Sequence, residues 1–343
     1  MNGRYGILRA SVDRGWSQSG LPATPLWLAL LETIGTDAGE IGVQHVISGV
    51  FMAYTDTPVL LAPSAHNLSD QDLQRAEGSC RIVLGSSQKG IRVMDVYQKS
   101  PLRVLFPRIS GERVEEAVLL NTSGGVAGGD RLETSVTAIE DASIAMTTQA
   151  AEKVYRALKE SAQIRTNLKV RDAAKLAWLP QETIVFDRAR LSRETQVEVT
   201  SGTELLALEW LILGRAAYGE RLSVGNIIER WRIVKDGRLV WADSLRITDE
   251  VLPHLGRKAL LSDCSALATL IYFGTKLGTP LELVRDLAPS LHCHCAATLV
   301  GGLVVGRFAA RNSHDLRTAL RSVLQQFNRF LHGPFQVPKM WSC

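Results

Sequence analysis

Four consecutive residues, His292, Cys293, His294 and Cys295, bring together two imidazoles and two thiols, the donor types that hold zinc, nickel and copper. Their spacing is unusual for a closed site. Structural zinc sites pair their ligands through turns of the kind C-x₂₋₄-C and H-x₃₋₅-H, so that four side chains can complete a tetrahedron. The small, β-branched and apolar residues of "LHCHCAATLV", 291 to 300, predict a strand, in which successive side chains point to opposite faces. His292 and His294 then share one face and Cys293 and Cys295 the other. Two readings of the tetrad stay open: a His pair at i, i+2 that holds a soft or borderline metal with help from elsewhere, and ordinary thiols packed in a core.

The most sharply punctuated stretch is "NTSGGVAGGDR", 121 to 131, with Gly124, Gly125, Gly128 and Gly129. A P-loop follows its last glycine with Lys-Ser/Thr, and a dinucleotide fingerprint needs G-x-G-x-x-G ahead of a helix. Here Asp130 follows the glycines, where its carboxylate repels phosphate, and "RLETSVTAI" continues as a strand. The glycines read as a tight β-connection that uses positive-φ backbone. The competing reading is an enzyme that handles a phosphorylated substrate with this loop and Asp130. In "WLPQETIVFDRAR", 178 to 190, Pro180 breaks one strand and Glu182 opens the next, as a catalytic acid, a ligand or a turn acid. No serine sits in a G-x-S-x-G elbow and no H-E-x-x-H occurs, which leaves Ser/His/Asp and that type of zinc-peptidase chemistry without support.

Placing these residues falls to a scaffold rich in strands. Short β-like runs crowd the chain from Cys80 onward: "CRIVLG", "IRVMDVYQ", "LRVLFP", "EEAVLLN", "LETSVTAI", "ASIAMTT", "QIRTNLKV", "AKLAWLP", "ETIVF", "ETQVEV" and "IIERWRIVKDGRLVWADSLRI". Asp236-Gly237 in the last run signals a hairpin. So many strands with few helical patterns between them predict a mainly β, layered core. The clear helix lies near the C-terminus, where Leu316, Ala319, Leu320, Val323, Leu324, Phe327, Phe330 and Leu331 recur every three or four residues as one buried stripe. Asn312 or Ser313 serves as its N-cap, Asp315 favours its positive end, and Gly333-Pro334 ends it. A shorter helix is expected in "PLELVRDLA", from Pro280.

Composition narrows the classes. With 343 residues, 45% hydrophobic and 22% charged, the chain is an ordinary globular protein with room for one large core or two domains. Its net charge of +4, from 39 basic and 35 acidic side chains without a Lys/Arg block, is too mild and dispersed to point to nucleic acid. Five cysteines, Cys80, Cys264, Cys293, Cys295 and Cys343, do not form a disulfide framework and favour a reducing, cytoplasmic compartment. No apolar run reaches the roughly 18 residues of a membrane span, and the N-terminus lacks the pattern of a secretory signal. Residues 1–73 are loosely patterned and polar at their end, which places a boundary near Gln74. They read as an extension of unknown role, or as the product of a start codon placed too far upstream, ahead of a β domain over residues 74–343.

Taken in order, "LLNTSGGVAGGDRLE", "TTQAAEKVYRA", "LAWLPQETIVFDRARL", "ALEWLILGRAAYGER" and "WRIVKDGRLVWADSLRI" resemble the urease accessory proteins of the UreD family, also called UreH. The likeness runs from about Gln74 to the C-terminal "PKMW". It implies a layered, solenoid-like stack of strands with a minor helical part. It also implies a non-catalytic scaffold that binds the urease apoprotein and the accessory protein UreF, which in turn recruits the nickel-carrying GTPase UreG, with no tightly bound cofactor and nickel only in transit. No nucleic acid or membrane partner is implied. By motif matching, an internal nickel route lined by acids falls on Asp130, Glu209, Asp243 and Glu182, while Glu152 departs from the small or hydroxyl residue expected at its position. Spaced carboxylates suit handover, because they hold nickel more weakly than thiolate or imidazole and release it readily. The competing role for these acids is pairing with Arg131, Arg215 or Arg246. A metal-storage or sensing protein built on residues His292 to Cys295 is the alternative to the scaffold.

Overall fold

The computed structural model describes residues 74–87, 90–107, 116–330 and 337–341. The extension 1–73, Leu331 and the Gly333-Pro334 stop of the C-terminal helix lie outside the described residues. The first strands are β1 (Glu77–Ser87), β2 (Gly90–Lys99), β3 (Leu102–Leu105), β4 (Glu116–Asn121), β5 (Arg131–Ala138), β6 (Ser143–Gln149), β7 (Glu152–Val154), β8 (Ala162–Val170) and β9 (Lys175–Trp178). They are followed by β10 (Thr183–Val185), β11 (Arg190–Val199), β12 (Glu204–Leu213), β13 (Asn226–Lys235), β14 (Arg238–Ile247), β15 (Ala266–Phe273), β16 (His294–Val300) and β17 (Leu303–Ala310). The α-helices among the described residues are α1 (Gly278–Leu287) and α2 (Ser313–Phe330).

Between β4 and β13 the chain passes back and forth between the parallel ladders of two sheets, and this makes a solenoid. In the seven-stranded sheet, of order β14-β13-β11-β8-β5-β1-β2, the strands β1, β5, β8, β11 and β13 run parallel. In the ten-stranded sheet, of order β16-β17-β15-β12-β9-β6-β4-β3 with β10 beside β12 and β7 beside β10, the strands β4, β6, β9 and β12 run parallel. Each coil therefore gives one strand to each sheet. The stack is finished by antiparallel pairs, β1–β2 and β13–β14 in one sheet and β12–β15–β17–β16 and β3–β4 in the other. The hairpin expected at Asp236-Gly237 joins β13 to β14, with both residues at positive φ.

Three long strands, β12, β15 and β17, are absent from the runs picked out in the sequence. Their residues "ELLALEWLIL", "ALATLIYF" and "LVVGRFAA" are buried almost throughout, so no polar alternation marks them as strands. Both faces of this sheet are covered. One packs on the seven-stranded sheet, and α2 covers the other, where Tyr272 of β15 meets Phe327 edge to face at 5.9 Å. The apolar stripe of α2 is buried as expected through Leu316, Ala319, Leu320, Val323, Leu324 and Phe327, each large side chain contributing about 1.5–3 kcal/mol. Asn312 is the cap, its Oδ1 accepting from the Asp315 backbone N–H at 2.9 Å. Helix α1 begins just before Pro280, which sits in the first turn where its missing N–H costs nothing.

The tetrad at 292–295 departs from its expected geometry. The strand starts at His294, after a short 3-10 turn at Ala288–Ser290, so His292 and Cys293 lie in a bend and the strand alternation does not apply to them. No helix among the described residues is long and apolar enough to cross a membrane.

Candidate functional site

Strand β11 places Leu191, Arg193, Thr195, Val197 and Val199 on its buried face, and β13 does the same with Ile227, Glu229, Trp231 and Ile233. An arginine and a glutamate thus occupy the apolar register of two neighbouring strands, where an unpaired charge costs several kcal/mol. Their pairing explains how they are accommodated. Arg193 and Glu229 are cross-strand partners, and Arg193 Nη2 lies 2.5 Å from Glu229 Oε1. One step along, Thr195, Trp231 and Asp243 form a second rank across β11, β13 and β14.

The opposite sheet answers with a rank of its own, Glu209 of β12, Thr269 of β15 and Arg307 of β17, which are register partners in sequence across three strands. Arg193 Nε reaches Glu209 Oε2 at 2.8 Å, and the Thr195 hydroxyl donates to Glu209 Oε1 at 2.7 Å. Arg307 donates to Asp243 Oδ2 and to the Thr269 hydroxyl, with its guanidinium 5.6 Å over the Trp241 ring. The result is a buried polar seam between the sheets, with three carboxyl groups and two guanidiniums.

Two against three leaves the seam one proton short of neutrality, and Glu229 is where that proton belongs. Burial pushes the Glu229 carboxyl up to about 8, and the nearby Glu209 and Asp243 charges add to the rise that Arg193 opposes. Its Oε2 atom makes no hydrogen bond among the described residues. Between the ordinary value of 4.5 and about 8, an unfolded chain has lost the proton that the folded chain keeps, so this group's contribution to stability falls as pH rises through that window. Denaturant unfolding at pH 6 and pH 9 will show the parent losing about 2–3 kcal/mol more than Glu229→Gln over that interval. Equal losses in the two proteins would contradict the assignment.

The seam has an end near the surface. Thr183 of β10 accepts from Arg193 Nη1 at 2.8 Å, and Glu152 of β7 is the register partner of Thr183. Glu152 is half-buried; burial pushes its carboxyl up to about 7 against the opposing pull of two 3.1 Å bonds from Asn121 Nδ2 and the charge of Arg193. The acid whose type looked out of place in the sequence therefore stands next to the seam.

Of the four acids singled out from the sequence, the structure brings two together. Glu209 and Asp243 share the seam. Glu182 alternates with Thr183 and points the other way, its Oε2 lying 3.8 Å from Arg317 Nη1 of α2, and burial pushes its carboxyl well above the usual carboxylate range. There Arg317 also donates to Gln181 Oε1 at 2.9 Å and lies 5.4 Å from the ring of Trp341, which stacks on Trp210 at 4.8 Å. Asp130 is bound into the glycine-rich turn, its two oxygens accepting from the backbone N–H groups of Ala76 at 2.8 Å and Ala127 at 2.7 Å.

The expected arginine partners are different ones. Arg131 meets Glu77 at 3.7 Å and Arg215 meets Glu220 at 2.5 Å, while Arg246 is exposed. Strand alternation explains this, since Arg131 follows Asp130 and Arg246 lies three residues beyond Asp243, which put each on the opposite face. Arg193, Arg307 and Arg317 take their places. The signal that could have found Arg193 and Glu229 is a charge at an inward position of a period-2 strand.

The glycine-rich turn offers phosphate little. The N–H groups of Ser123, Gly124, Val126, Gly129 and Asp130 already donate to Asn121 Oδ1 or to backbone carbonyls. Gly124, Gly125 and Gly129 have positive φ as expected, whereas Gly128 does not. Gly128 is needed for space, because a Cβ there would lie 2.5 Å from the Glu160 carbonyl oxygen and 2.6 Å from the Ala157 Cβ.

The sequence model described as UreD urease accessory protein matches residues 76–342. The urease accessory protein UreD of Mesorhizobium japonicum is 36% identical over 270 residues, covering 78% of this chain and 95% of that protein. Its counterpart in a Methylobacterium species is 37% identical over 274 residues, again 78% and 95% of the two chains. That of Rhizobium leguminosarum bv. viciae is 38% identical over 269 residues, 78% and 96%. With a family match over most of its length and relatives covered almost end to end, the chain belongs to the UreD family of urease accessory proteins.

Proposed function

We propose that this chain is a non-catalytic urease maturation factor of the cytoplasm, which binds the urease apoprotein and the accessory protein UreF, meets the GTPase UreG through UreF, and helps deliver nickel to the urease active site. The observation that carries the reading is the buried seam in a chain of this family: Glu209, Glu229 and Asp243 lie between two sheets, with the half-buried Glu152 at one end. Nickel is cargo, and carboxylates hold it loosely enough to pass it on. The acids are latched by Arg193 and Arg307, so the passing ion takes over carboxylate contacts from the guanidiniums and releases the proton held by Glu229.

The glycine-rich turn supports this reading over phosphate chemistry, since most of its backbone donors, those of Ser123, Gly124, Val126, Ala127, Gly129 and Asp130, are bonded within the fold. The test is co-expression of urease with its other accessory proteins, with this chain present or omitted, combined with a pull-down of apo-urease and UreF on residues 1–343 and 74–343. The expected result is that both forms capture the two partners and that urease matured without the chain is depleted in nickel and activity. Unchanged nickel in its absence would sink the proposal.

A further inference from the structure

A second group of ligating side chains lies outside the seam, and its donors are unlike one another. The loop ahead of β15 carries Asp263 and Cys264, and His294 is the first residue of β16. One carboxylate oxygen, the Cys264 sulfur and one imidazole nitrogen lie within 4.8 Å of one another. The fold builds this convergence from both sides of one strand. Strands β15 and β16 flank β17; Ser265 N donates to Ala310 O at 3.0 Å, and His294 pairs with Ala309, so both donor segments meet the same end of β17. The loop is fixed at Cys264, whose N–H donates to Leu261 O at 2.9 Å. Cys264 is buried, His294 half-buried and Asp263 exposed, so the group opens to the surface on its carboxylate side.

We propose that Asp263, Cys264 and His294 form a binding site for a late first-row divalent transition metal such as zinc. An oxygen, a nitrogen and a sulfur donor together make a set of borderline softness, for which calcium and magnesium, which take oxygen ligands, do not compete. Three protein ligands leave one tetrahedral position open, the arrangement of sites that exchange a ligand rather than of closed structural ones.

Asp263 is paired with Arg311 Nε. That pair is exposed on both sides, at 50% and 76%, and contributes little, so it yields to a divalent ion. Ligation is balanced without an oxidant. The Cys264 S–H bond breaks, the sulfur–metal bond forms, and the proton leaves to solvent. None of the seam's side chains takes part, and the site does not depend on the delivery role.

The untagged full chain titrated with cobalt(II) tests this. The expected result is about one equivalent bound with a thiolate-to-cobalt charge-transfer band, displaced by zinc. Cys264→Ser removes the band, His294→Ala weakens binding by at least about tenfold, and the surface change Glu77→Gln leaves both unchanged. Cys264 is buried, so His294→Ala, at a half-buried position, carries the test if Cys264→Ser fails to fold. A first equivalent without thiolate character, or an affinity unchanged in His294→Ala, overturns the proposal.

Discussion

Arg193→Leu will cost the chain about 3–5 kcal/mol, because it leaves Glu209 and Glu229 buried opposite each other with no guanidinium between them. The loss is of the size of much of a domain's net stability, so soluble yield will fall as well. Removing the acids along with the arginine should recover most of it, since a buried ion group replaced as a whole by neutral residues of similar size is often neutral or stabilising. Chemical denaturation of Arg193→Leu and of the triple change Arg193→Leu, Glu209→Gln, Glu229→Gln separates the two cases. If the single and triple variants are equally unstable, the arginine's role is packing rather than charge. That outcome would remove the physical basis assigned to the seam.

Changing one carboxyl to an amide should do the opposite, sparing the fold and harming the function. Glu209→Gln keeps an acceptor for the Thr195 hydroxyl and leaves Arg193 paired with Glu229. It removes a charged oxygen ligand for a passing cation. Urease activation in cells carrying this variant is expected to fall on the order of 10- to 100-fold, with the chain still recovered in complex with its partners. Asp243→Asn is the second position to measure, with a larger stability cost because it removes the buried acid paired with Arg307. A Glu209→Gln chain that matures urease at the parent rate would place the route elsewhere in the fold.

The layered β architecture can be read from the sequence where strands are half-buried. In β8 and β11 the alternation of apolar and polar residues marks one face for the core. It is hidden in β12, β15 and β17, where a sheet on one side and, over β15 and β17, a helix on the other erase the period of two. The site follows the same rule. Glu209 and Asp243 came from motif matching, while Arg193, Glu229 and Arg307 could be placed only once the register across both sheets was known. Four acids in one chain do not make one path, because neighbours on a strand face opposite ways: Thr183 meets the seam while Glu182 meets Arg317. For the tetrad at 292–295, adjacency in sequence was a poor guide to shared chemistry. His294 finds its companions, Asp263 and Cys264, about thirty residues away across β17.

On the proposed reading the buried carboxylates, and not the surface of the protein, serve nickel delivery. Nickel per urease active site, measured by elemental analysis on urease matured with the parent chain, with Glu209→Gln, or with the surface control Glu77→Gln, tests it most directly. Full nickel is expected with the parent and with Glu77→Gln, and depleted nickel with Glu209→Gln although the complex still forms. Equal nickel in all three would contradict it.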